Sequence, residues 1–101
     1  LLSLMDLDET TFRQRFQGSP IWRTRRRGLL RNVAVALGNW GDPVAVPSLV
    51  RALSDAEPLI RGHAAWALGR MEGQQPRRAL AQHLALEDDP WVRQELELAS
   101  R

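Results

Sequence analysis

The sequence predicts an all-α protein: a right-handed α-solenoid of about five to six helices stacked as pairs. Three observations predict it. Short motifs recur 31 or 32 residues apart: Ala36-Leu37-Gly38 returns as Ala67-Leu68-Gly69, Leu49 and Leu53 as Leu80 and Leu84, and Pro58-Leu59-Ile60-Arg61 as Pro90-Trp91-Val92-Arg93. Such a period accommodates two helices and two short turns. Apolar residues follow the i, i+3, i+4, i+7 rhythm of a helix face, and no window alternates like a half-buried strand. Acid–proline pairs and glycines punctuate that rhythm at corresponding places.

Thr11 to Phe16 predict a short opening helix, broken at Gly18-Ser19-Pro20. Leu29, Val33, Ala36, Leu37 and Trp40 mark the next helix, and Val46, Leu49, Val50 and Leu53 the one after. Ile60, Ala64, Ala67, Leu68 and Met71 continue the series, followed by Ala79, Leu80, His83 and Leu84, then Val92, Leu96 and Ala99. Asp42-Pro43, Glu57-Pro58 and Asp89-Pro90 each read as a helix start, because an acid can cap the first amides and proline suits the first position. Gly38, Gly41, Gly69 and Gly73 are expected where helices stop. Pro47 is expected to forfeit a backbone bond and bend its helix. Ala34, Ala36, Ala64, Ala65 and Ala67 permit close packing between helices, and Trp40, Trp66 and Trp91 are expected in the core.

Counted this way the chain is one domain, with a lead-in over 1–21, a first repeat region over 22–55, a second over 56–86 and a partial third over 87–101. A helix pair cannot bury its own apolar face, so the stack is the stable unit. About two and a half repeats is near the lower limit, and a neighbouring domain is expected to cover one end. With no initiator Met, and opening on Leu1-Leu2-Ser3-Leu4, the chain reads as a piece of a longer protein.

Composition narrows the chemistry. Cysteine is absent, which removes disulfides, thiolate metal sites and cysteine nucleophiles. No stretch approaches the roughly 18 apolar residues of a membrane span. All 14 basic residues are Arg, and the net charge is +2. The charge is uneven: residues 1–50 carry a surplus of three positive charges and residues 51–101 a deficit of one. No acid lies between Glu9 and Asp42, so that end of the molecule should attract anions.

No catalytic constellation emerges. His63 and His83 lie on different helices without a second ligand at metal-site spacing, and read as packing or capping residues. Gly18-Ser19-Pro20 lacks the repeated glycines and following lysine of a phosphate loop. Arg61 and Arg93 each follow an acid by six residues (Asp55 and Glu87) and read as rungs of an internal ladder between turns. Arg23, Arg25, Arg26, Arg27 and Arg31 are clustered, carried by one repeat, and unpaired with local acids. Such a cluster is either a phosphate-contacting surface or a solvated helix face. Trp22 either stacks on a base or packs under the turn. Asn32 either reads a ribose or base edge or ties down a loop. Arg77 and Arg78 form a second, weaker basic spot.

The motif Asp-Pro-x-x-x-x-Pro-x-Leu-x-x-x-Leu, then Pro-x-x-Arg-x-x-Ala-x-x-Ala-Leu-Gly, fills residues 42–69 and returns more loosely over 76–99. It resembles the HEAT-like repeats of the phycobilin-lyase type. A narrower resemblance rests on Phe16-x-Gly18-Ser19-Pro20-Ile21-x-Arg23, Leu30 through Asn39, and His63-x-x-Trp66-Ala67-Leu68. These segments resemble the C-terminal part of epoxyqueuosine reductases, cytoplasmic enzymes of tRNA queuosine modification. The resemblance implies a parent that uses cobalamin and two [4Fe–4S] clusters, with the cluster cysteines upstream. It implies for this chain a helical-repeat domain without catalysis of its own. That domain would sit beside the upstream catalytic domain and help hold the tRNA anticodon stem-loop, with Arg23, Arg25, Arg26, Arg27, Arg31 and Asn32 as the RNA-binding residues. The alternative is a protein-interaction scaffold or a structural cap on the catalytic domain.

Overall fold

The computed structural model describes residues 2–6 and 22–101, and the expected helix over 11–16 with its Gly18-Ser19-Pro20 break lies outside the described residues. Among the described residues every regular element is helical: α1 Leu2–Met5, α2 Trp22–Trp40, a 3-10 turn Pro43–Ala45, α3 Val46–Ala52, α4 Pro58–Gly69, α5 Gln74–Leu84 and α6 Pro90–Ala99. Helices α2, α4 and α6 stack side by side as one layer, and α1, α3 and α5 form the second. The result is a slab of 42 × 28 × 16 Å. The stacked all-helical architecture is the one that the periodicity predicts. Helix α3 packs on α4, and α5 packs on both α4 and α6.

The caps show why the elements start where they do. The Asp42 carboxylate accepts from Val44 N at 2.9 Å, and the Asp89 carboxylate accepts from Trp91 N and Val92 N at 2.9 and 3.0 Å. Each satisfies amides that have no partner inside the helix. Glu57 departs from that expectation: its side chain makes no cap, and its own amide donates to Asp55 Oδ1 at 2.9 Å. Gly41, at φ 73°, ends α2 as its position predicts. Gly38 instead lies inside α2. Pro47 sits in the first turn of α3, directly after the 3-10 turn, and not inside a longer α-helix.

Leu30 and Leu37 of α2, Leu49 and Leu53 at α3, Ile60 and Leu68 of α4, Leu80 of α5, and Val92 and Leu96 of α6 are fully buried between the layers. Ala34, Ala64, Ala65 and Ala67 are buried with them and bring the helix backbones close. Burial of each such aliphatic side chain stabilises the fold by roughly 1.5–3 kcal/mol. Trp40 and Trp91 depart from the expected core placement, being 55% and 37% exposed, whereas Trp66 is half-buried and packs against the core.

Candidate nucleic-acid interface

The basic cluster divides at Arg26. This residue lies one turn before Leu30 and seven positions before Val33, on the buried face of α2, and is 2% exposed. Its guanidinium grips both carboxylate oxygens of Asp55, with Nη1 donating to Oδ1 at 3.1 Å and Nη2 to Oδ2. The expectation that Arg26 meets phosphate is therefore corrected: its charge is neutralised inside the stack.

Arg26 is instead the first rung of the ladder that the sequence places at Arg61 and Arg93. Arg61 donates from Nε and Nη2 to the two oxygens of Glu87 at 2.8 and 2.9 Å. Its Nη1 donates to the main-chain carbonyl of Asp55 at 2.9 Å. Arg93 repeats the latter contact, donating from Nη1 to the carbonyl of Glu87 at 2.9 Å. The acid six residues upstream thus supplies its carbonyl, while its carboxylate reaches back to the arginine of the preceding pair. Glu87 also accepts from the Asp89 amide at 3.1 Å and contacts His83 Nε2 at 3.0 Å. Burial pushes the Glu87 carboxyl up, but the bonds from Arg61, Asp89 N–H and His83 outweigh it and hold the group at about 2.

Arg25 and Arg31 face outward, exposed on α2, and neither has a carboxylate partner among the described residues. Arg27 is intermediate, with a side chain 42% exposed and a loose 3.9 Å approach to Glu57. Arg31 Nε donates to Asn32 Oδ1 at 3.3 Å, so Asn32 is exposed beside it and oriented by it. Gly28 lies between Arg25 and Arg31, and a Cβ placed there would meet nothing within 4 Å, so the helix surface is open between the two cations. The side chains of Trp22 and Arg23 lie outside the described ones. Arg77 and Arg78 are exposed on α5, in the opposite layer, and do not join this surface.

On the same layer α4 and α6 present His63, Trp66, Trp91 and Glu95 around a cavity. Reading the tryptophans as core overlooks this group. The signal was available as Gly38 and Gly62, which precede Trp66 and Trp91 by 28 and 29 residues, close to the repeat period. Among the described residues no three His, Cys, Asp or Glu converge to hold a metal. No described helix is long and apolar enough to cross a membrane. A chain without cysteine offers no thiolate to an iron–sulfur cluster.

A family model described as HEAT repeats matches residues 21–101. An epoxyqueuosine reductase of Listeria monocytogenes is 35% identical over 100 residues, covering 95% of this chain and 26% of that protein. The corresponding enzyme of Bacillus subtilis is 31% identical over 99 residues and is covered to 25%. A solved structure of the Bacillus subtilis enzyme superposes with a TM-score of 0.81 at 30% identity, over 98% of this chain and 27% of that one. A protein of Geobacillus stearothermophilus is 34% identical over 100 residues and is covered to 45%. The chain thus spans less than half the length of each of these curated relatives. Its match to a repeat family over 21–101, and its two successive helix pairs joined by an arginine–carboxylate ladder, agree: the chain belongs to the HEAT repeat family.

Proposed function

We propose that this chain is the tRNA-holding helical-repeat part of a cytoplasmic enzyme of the epoxyqueuosine reductase type. It would bind the anticodon stem-loop beside a catalytic domain. The observation that carries the reading is the outward pair Arg25 and Arg31, flanking the open surface at Gly28 and joined by Asn32. Arginine presents a planar fork that matches phosphate oxygens, and Arg25 and Arg31, exposed and without carboxylate partners among the described residues, keep it available. Arg27 adds a third, partly neutralised cation. Similarity to epoxyqueuosine reductases supplies the substrate class. The [4Fe–4S] clusters of such a parent would be held outside this chain, since it has no cysteine to ligate a cluster, and the parent's cobalamin is proposed to lie with them.

The test is a fluorescence titration of the chain with an anticodon stem-loop RNA across a salt series. Binding should weaken with salt, with a log–log slope of about 0.7–0.9 per phosphate contacted. The double variant Arg25→Ala/Arg31→Ala should abolish most of that slope. Binding by the double variant equal to that of the parent would assign this face to another partner, an acidic protein surface being the rival.

A further inference from the structure

The layer formed by α2, α4 and α6 carries a second feature that phosphate binding leaves unused. A cavity of about 240 Å³ is lined by Val35, Gly62, His63, Trp66, Trp91 and Glu95. Two bare helix backbones make room for its walls. A Cβ at Gly38 would stand 2.6 Å from Cζ3 of Trp66, and one at Gly62 would stand 2.3 Å from Cζ3 of Trp91. The six-membered rings of both indoles therefore rest on glycine, a placement that no other residue at 38 or 62 would permit without displacement.

The polar side chains beside the indoles are acceptors. His63 Nδ1 lies 2.8 Å from the Leu59 carbonyl, and a carbonyl can only accept, so Nδ1 carries a proton, which in the neutral ring leaves the lone pair on Nε2. Glu95 lies one turn after Trp91, is half-buried, and makes no ion pair among the described residues. A carboxylate, an imidazole lone pair and two π faces all favour a cation. The molecule already shows which cation suits these rings: the Arg70 guanidinium lies 5.2 Å from the Trp66 ring centroid and donates from Nε to Gly38 O at 3.3 Å.

We infer that this cavity is a receptor for an arginine side chain of a protein partner. The guanidinium lies over the indoles, and its N–H groups meet Glu95 and His63 Nε2. A planar guanidinium matches flat ring walls and a two-oxygen carboxylate better than a compact ammonium does. A nucleotide fits less well, because its phosphate would approach the Glu95 carboxylate, which makes no ion pair among the described residues. The site adjoins the Arg25–Arg31 surface, since Val35 lies one turn after Arg31 on α2, but it uses none of the residues proposed there to bind RNA.

The test follows the indole N–H resonances of the chain by NMR at constant ionic strength, during titration with N-acetyl-arginine amide. The probes for comparison are the citrulline amide, which is uncharged and isosteric, and cytidine monophosphate. The Trp66 and Trp91 signals should shift saturably with a Kd of order millimolar to tens of millimolar, while the Trp40 signal stays put. Citrulline should leave all of them in place. Glu95→Gln should weaken arginine binding about fivefold or more, and Trp91→Leu should abolish it. Both variants are first checked by thermal melting to be folded. Equal shifts with citrulline, an unchanged Kd in Glu95→Gln, or shifts produced by the nucleotide and not by arginine would each overturn the assignment.

Discussion

Arg61 and Glu87 face each other across the boundary between successive helix pairs, fork to fork, at 2.8 and 2.9 Å. The Glu87 side chain is 3% exposed and that of Arg61 17% exposed. Removing one partner leaves a shielded charge without its counterion. Arg61→Ala should therefore cost about 3 kcal/mol in a urea denaturation. Arg51→Ala removes a similar fork to Asp6, but one whose side chains are 61% and 38% exposed, and should cost far less. Equal losses in the two variants would contradict the ladder as a source of cohesion.

The Glu87 carboxyl also sets a pH dependence. Its folded value of about 2 lies below the ordinary 4.5. The native state therefore binds this proton less readily than the unfolded state does. The stabilisation is complete above about pH 5 and is lost as pH falls toward 2. Its size is roughly 2 kcal/mol after allowance for screening through the partly exposed Arg61 partner. Thermal midpoints of the parent and Glu87→Gln should differ at pH 7 and converge only as pH falls to about 2.

Arg25 and Arg26 are neighbours in sequence with opposite roles. Arg26→Ala should lower stability through the loss of the Asp55 contact, with little change in the salt slope of RNA binding by the protein that remains folded. Arg25→Ala should leave the melting curve in place and reduce that slope by about one phosphate contact. A filter-binding series paired with thermal melts separates the two.

Three glycines should respond differently to the same added methyl. Gly28→Ala meets nothing within 4 Å and lies inside α2, so helix propensity should raise stability by about 0.5–1 kcal/mol. At Gly69 a Cβ would stand 2.9 Å from the Ala99 Cα, and α6 would have to move. Gly69→Ala should cost roughly 1–3 kcal/mol by urea denaturation. Gly62→Ala should displace the Trp91 ring at 2.3 Å, which the indole resonance would report directly.

The helix faces were legible because burial repeats at helical spacing. The same spacing also contains the answer for Arg26, since Arg26, Leu30, Val33 and Leu37 follow i, i+4, i+7, i+11. A cluster read by local charge hides this, because the neutralising Asp55 lies 29 residues away. The place of Trp91 outside the core is hidden for a related reason. Aromatic residues at repeat spacing look like core until the glycines that seat them are known to face them from the adjoining helix.

By itself the sequence determined the helical period, the caps at Asp42 and Asp89, the buried aliphatic stripe and the concentration of positive charge near the first long helix. All of these depend on contacts within a few residues along the chain. Only the tertiary structure decided which arginines remain outside, which carboxylate meets which guanidinium, and that Trp66 and Trp91 wall a cavity. Those outcomes turn on pairings 26 to 29 residues apart, set by how one helix pair lies on the next.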